Sequence, residues 1–187
     1  AECLLKARFF EEGRRPLSLI ETLPFPRGFV RLERHLVRMA ASARLFGLAF
    51  DAVAAKNALE AAASGHGPLR VRLTLGEDGV HRAEAAPLPP NPSCWRCAIS
   101  PQKVRSGDLL LRHKTDWRDF FEREAARGAA DEVIFFNERG ELTEGARSNI
   151  FIRRGGRLLT PPLTSGLLPG CLRGELIDQG LCEEAVL

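Results

Sequence analysis

The chain has 187 residues, 44% hydrophobic and 27% charged, an ordinary globular composition with enough length to bury a real core. Its formal net charge of +3 is milder than a nucleic-acid binder of this size would concentrate on one face, whereas a small anionic ligand needs only a few well-placed arginines. No apolar run approaches a bilayer span and no signal-peptide zones open the chain, so the expectation is a cytoplasmic protein with neither membrane nor nucleic acid as partner. Cysteines at positions 3, 94, 97, 171 and 182 form an odd, scattered set that suits reduced thiols better than a disulfide framework.

In chain order, Leu17–Leu23 reads as a strand that Pro24 and Pro26 end, with Phe29–Arg31 as a short return strand. Glu33–Phe46 reads as a helix, because Leu32, Leu36, Ala40, Ala43 and Phe46 share a face, and Gly47 closes it. Asp51 is an N-cap for a second helix over Ala52–Ala63. Leu69–Leu75 and Val80–Ala85 flank a Gly-Glu-Asp-Gly turn and read as a hairpin. Residues 87–92 belong to a proline-rich stretch that can continue neither helix nor sheet interior, and are expected to link a smaller domain over 1–86 to a larger one over 93–187. Beyond it the pattern predicts a strand at Trp95–Ser100 and a helix from Trp117 to about Arg127. Strands at Glu132–Asn137, Ser148–Arg153 and Arg157–Thr160 follow, then a helix from near Leu172. Adjacent hairpins with segregated helices make the fold α+β.

Lys114 stands after the apolar run Leu109–Leu111 and before a helix; an apolar setting destabilises an ammonium and suits Schiff-base chemistry. Cys94 and Cys97 form a single Cys-x-x-Cys with no second ligand pair, so two small buried or strand residues are expected there rather than a metal site. The pairs Arg14-Arg15 and Arg153-Arg154 read as solvated turn residues, and His113 as a neighbour of the lysine.

Three ordered segments carry a resemblance. The run from Asp131 through Leu142-Thr-Glu144-Gly-x-x-Ser148-Asn149-Ile-Phe, with Lys114 thirty residues before Glu144, resembles the fold-type IV pyridoxal-phosphate enzymes. Glu33-Arg-His35-Leu-Val-Arg38 resembles that family's helix in which an arginine three residues after a histidine holds the cofactor phosphate. Leu168-Pro-Gly170-Cys-Leu-Arg173 resembles its loop-to-helix phosphate segment, where backbone N–H groups and a glycine admit an anion. The resemblance implies a two-domain architecture, pyridoxal 5'-phosphate as cofactor and a homodimer acting on a small-molecule substrate. It implies that Lys114 carries the cofactor, that Glu144 pairs with the pyridine nitrogen, and that Arg38, Gly170, Cys171 and Leu172 hold the phosphate. Family members continue beyond the helix that follows the phosphate loop. That segment brings a further hydroxyl to the phosphate, and by the resemblance it is expected to be missing after Leu187.

Within that family the opening Pro16-Leu-Ser-Leu-Ile-Glu-Thr22, the Glu-Arg-His-Leu helix and His113-Lys114-Thr115 most resemble the lyase domain fused behind an aminodeoxychorismate synthase subunit. Leu172, where transaminases commonly place a threonine, and the start at Ala1 without Met agree with a domain cut from, or partnered with, such a synthase. The expected reaction converts 4-amino-4-deoxychorismate to 4-aminobenzoate and pyruvate, with Lys114 moving the proton and Thr22 and Arg72 on the substrate side. A branched-chain or D-amino-acid aminotransferase, and a domain that keeps the fold without turnover, remain as alternatives.

Overall fold

The computed structural model of the chain describes residues 15–64, 67–90, 92–127 and 130–187. Cys3 and Arg14 lie outside the described residues. The chain forms two compact units: one runs to Pro89 and takes in Lys114–Trp117, and the other comprises Pro90–His113 and Arg118–Leu187.

The first unit is a three-stranded antiparallel sheet with two helices on it. Its strands are β1 (Leu19–Phe25), β2 (Leu69–Leu75) and β3 (His81–Pro87), in the order β1-β2-β3. Leu19 stands opposite Leu75, and Leu69 opposite Pro87. Side chains alternate across a sheet, so Leu19 and Leu23 of β1 and Val71, Leu73 and Leu75 of β2 share the buried face. That layer packs on Leu36, Met39 and Ala43 of α1 (Leu32–Phe46) and on Ala55 and Leu59 of α2 (Ala52–Ala62). Asp51 caps α2 through its carboxylate, which accepts from the N–H groups of Val53 and Ala54.

Pro24 does not end β1. The strand continues to Phe25 because it is an edge strand, where a missing N–H leaves no ladder partner unsatisfied. Phe29–Arg31 is not a return strand either. The outer edge of β1 is taken at its start by the segment around Lys114: the Ile20 N–H donates to the Lys114 carbonyl at 2.8 Å, and Leu19 bridges Thr115. The chain instead turns after Pro24, whose carbonyl accepts from the Val30 N–H at 3.1 Å. Arg31 then enters α1 in the left-handed region, at φ 57°.

The second unit holds two small sheets. In one, β4 (Cys97–Ile99) runs parallel to β5 (Glu132–Phe136), which pairs antiparallel with β6 (Leu142–Gly145). In the other, β7 (Ile152–Arg154) and β8 (Arg157–Thr160) form a hairpin, and β9 (Glu183–Glu184) adds to β8 in parallel. The helices are α3 (Asp119–Arg127) and α4 (Cys171–Asp178). Phe120 and Phe121 of α3 lie 5.5 and 5.1 Å, centroid to centroid, from Phe135 of β5, at the centre of a core with Val104, Leu111, Val133 and Ala146.

Helix α3 starts two residues later than its apolar pattern suggests, because Trp117 packs into the core of the first unit. β6 and β9 carry no sequence signal of their own. The strand expected from Ser148 begins only at Ile152, since Ser148 donates its hydroxyl to Glu132 at 2.6 Å instead of entering a ladder. Cys94 and Cys97, expected to be buried or in a strand, are both exposed, although Cys97 does open β4. Helices segregated from mainly antiparallel sheets make the fold α+β. No helix among the described residues is long and apolar enough to cross a membrane.

A left-handed non-glycine residue costs about 1 kcal/mol that glycine does not incur. Arg31→Gly is therefore expected to be about 1 kcal/mol more stable than Arg31→Ala, which loses the same side-chain contacts, read from the midpoints of urea transitions.

Candidate functional site

The residues singled out from the sequence fall into two groups, one in each unit. In the first unit Lys114 is half-buried and its main chain is fixed against β1. The next turn is pinned on both sides: the Asp116 N–H donates to the Ser18 carbonyl, and the Asp116 carboxylate accepts from the Ser18 N–H, each at 2.9 Å. Burial and the neighbouring Arg112 push the His113 imidazole below its usual pKa. Thr22 and Arg72 stand directly opposite each other on β1 and β2, on the sheet face away from the helices.

Arg38 lies on α1 with its guanidinium tied side-on to Glu21: Nε donates to Oε1 at 2.8 Å and Nη2 to Oε2 at 2.6 Å. Nδ1 of His35 stands 2.6 Å from the same Oε2, which places a proton on Nδ1 because a carboxylate only accepts. Glu21 is 1% exposed. Burial raises its pKa, but the hydrogen bonds from His35 and Arg38 outweigh burial and hold it below the ordinary value of 4.5. Sequence reading passed over Glu21, yet a signal existed. Counting by twos along Leu17, Leu19, Glu21 and Leu23 puts a charge on the core-facing register, and such a charge needs partners.

In the second unit Glu144 sits on β6 at 9% exposure. Asn149 bridges back to it, and its side-chain amide donates to Glu144 Oε2 at 3.3 Å and to the Leu168 carbonyl at 3.0 Å. The turn between them is held by buried Glu132, which accepts from the Arg147 N–H at 3.2 Å and the Ser148 hydroxyl at 2.6 Å. Gly145 is required there, since a Cβ would stand 2.7 Å from the Glu132 carboxyl carbon.

Gly170 is the N-cap of α4, and no side chain caps that helix. Cys171 and Leu172 open its first turn, and the Leu172 side chain is exposed. Arg173, which closes the Leu-Pro-Gly-x-x-Arg segment, faces elsewhere: it is buried and donates to the Pro161 carbonyl and to Glu184, tying α4 to β9.

Residues 18–187 match the profile of the amino-transferase class IV family, and the chain belongs to that family. A protein of Schizosaccharomyces pombe described as a "Putative aminodeoxychorismate lyase" is 27% identical, over 89% of this chain and 76% of its own length. A crystal structure of a "Putative amino-acid aminotransferase" from Mesorhizobium loti is 37% identical and superposes with a TM-score of 0.87, over 91% of this chain and 87% of that one. A hypothetical aminotransferase from Mycobacterium tuberculosis, solved with α-ketoglutarate and PMP bound, is 27% identical with a TM-score of 0.78, over 91% of this chain and 71% of that one.

The family's cofactor is pyridoxal phosphate. The donor set here fits such a group. A helix start without a side-chain cap leaves N–H groups that suit an anion. A buried carboxylate flanked by an amide suits a protonated ring nitrogen.

Replacing Glu21 by Ala leaves the buried Arg38 guanidinium without its carboxylate partner and is expected to cost about 3 kcal/mol. Because the folded pKa is depressed, the wild-type contribution is fully present above pH 4.5 and disappears as the pH falls through the lower folded value. Urea titrations of wild type and Glu21→Ala across that range should therefore converge toward acid pH, whereas an unvarying gap would contradict the pairing.

Proposed function

We propose that the chain is a pyridoxal-phosphate-dependent lyase that releases pyruvate from 4-amino-4-deoxychorismate to leave 4-aminobenzoate, a step of folate biosynthesis. Family membership over residues 18–187 supports the cofactor, and the likeness to the Schizosaccharomyces pombe "Putative aminodeoxychorismate lyase", which spans most of both chains, supports the reaction.

In this reading Lys114 carries the cofactor, Glu144 pairs with its ring nitrogen, and Arg38 with the main chain of Gly170, Cys171 and Leu172 holds its phosphate. When bound, pyridoxal phosphate supplies a protonated ring that accepts the electron pair left at a substrate carbon. Lys114, freed by the incoming amine, removes the proton from the amine-bearing carbon and serves as the general base. The carboxylate of Glu144 keeps the ring nitrogen protonated. The enolpyruvyl ether then leaves, takes up a proton and departs as pyruvate, while the ring becomes aromatic. Thr22 and Arg72, side by side on β1 and β2, offer a hydroxyl and a cation to the substrate carboxylate. We further propose a cytoplasmic homodimer, working as part of, or beside, an aminodeoxychorismate synthase.

A second reading, an aminotransferase, is favoured by the 37% identity to the Mesorhizobium loti structure and by the 43% identity over 54 residues to the branched-chain-amino-acid aminotransferase of Escherichia coli. The proton-abstracting steps are common to both, so products separate them. With 4-amino-4-deoxychorismate, the lyase reading predicts pyruvate and 4-aminobenzoate in equal amounts, abolished by Lys114→Ala. Formation of a keto acid from a branched-chain or D-amino acid, with no pyruvate from the aminodeoxychorismate, would favour the aminotransferase.

A further inference from the structure

Asn149 closes the Leu-Thr-Glu-Gly-x-x-Ser-Asn segment with hydrogen bonds to Glu144 and to the Leu168 carbonyl. We propose that Asn149 is a positioning residue that fixes the Glu144 carboxylate and the start of α4 as one rigid assembly. The inference rests on the reading of Glu144 and Gly170 as cofactor contacts.

Three observations meet at this amide. Its nitrogen donates to Glu144 Oε2 at 3.3 Å, and its own main chain pairs with that of Glu144 in an antiparallel bridge. The same nitrogen donates to the Leu168 carbonyl at 3.0 Å, two residues before the N-cap of α4. Its oxygen fills the space beside Gly170 so completely that a Cβ there would stand 1.7 Å from Oδ1. The absence of a side chain at Gly170 is thus explained by Asn149 as well as by any anion.

An amide suits this place for a chemical reason. A carboxylate only accepts, and so does a carbonyl; one NH2 group carries two donors and satisfies both. An aspartate has the same shape but no donor, and would set a second negative charge against Glu144. An alanine removes the donor and the bulk together.

Those differences give a test that separates positioning from packing. Asn149→Ala, Asn149→Asp and Glu144→Gln are prepared alongside wild type. The dissociation constant of pyridoxal phosphate is measured by absorbance, and thermal unfolding is followed without cofactor. Positioning predicts roughly tenfold weaker binding for Asn149→Ala, the effect of losing one hydrogen bond to a charged group. It predicts a larger loss for Asn149→Asp. A residue that only fills space predicts the opposite order, with the isosteric Asp tolerated better than Ala, and that order would overturn the inference.

If Asn149→Asp does not fold, the double variant Asn149→Ala/Glu144→Gln decides the matter. Losses that do not add support the coupling, and losses that multiply contradict it. Should Glu144→Gln leave both affinity and the absorbance of the bound cofactor unchanged, the assignment of Glu144 to the cofactor fails, and the inference falls with it. An effect of Glu144→Gln with wild-type behaviour in both Asn149 variants rejects Asn149 alone.

Discussion

A carboxylate placed in a hydrocarbon layer must be paired, and Glu21 sets much of the first unit by that requirement. It occupies the register of β1 that otherwise carries Leu17, Leu19 and Leu23 into the core. Its two oxygens are satisfied by Arg38 and His35, three residues apart on one face of α1. A helix that slipped or rotated by one residue would lose both partners at once, leaving a buried charge uncompensated. The pairing therefore fixes where α1 lies on the sheet and how the Arg38 guanidinium is presented. β1 also holds the main chain of Lys114 along its outer edge, so one strand orders an arginine on one side and a lysine segment on the other.

The second unit holds two buried acids of its own around a single turn. Glu144 and Glu132 are buried acids on neighbouring strands, Glu132 met by a backbone amide and a hydroxyl from the turn at 145–149 and Glu144 by the side-chain amide of Asn149. Glu132 takes the turn itself, while Asn149 at its end returns to Glu144. A short loop so held needs no large core to be precise, which suits a sheet of only three short strands.

Much of this was legible in the sequence. α1, α2 and the hairpin of β2 and β3 followed from periodicity and from Asp51, and the order of the three motifs carried the family. What escaped detection did so for physical reasons. β6 is four residues long and buried throughout, so it shows no alternation. β9 has two residues and exists by pairing with β8. Pro24 misled because its effect depends on whether a strand is at an edge, which pairing decides and composition does not. The excursion of Lys114–Trp117 into the first unit left no local trace. Glu21 and Asn149 were visible as letters inside recognised segments; their roles depend on residues 5 to 21 positions away, brought to them by the fold.

The proposed attachment of pyridoxal phosphate to Lys114 is decided by borohydride reduction in the presence of the cofactor, followed by peptide mass mapping. Attachment there predicts one phosphopyridoxyl group per chain, located on the peptide containing Lys114 and absent from Lys114→Ala. A label spread over several surface lysines, or one retained in Lys114→Ala at the same stoichiometry, would contradict it.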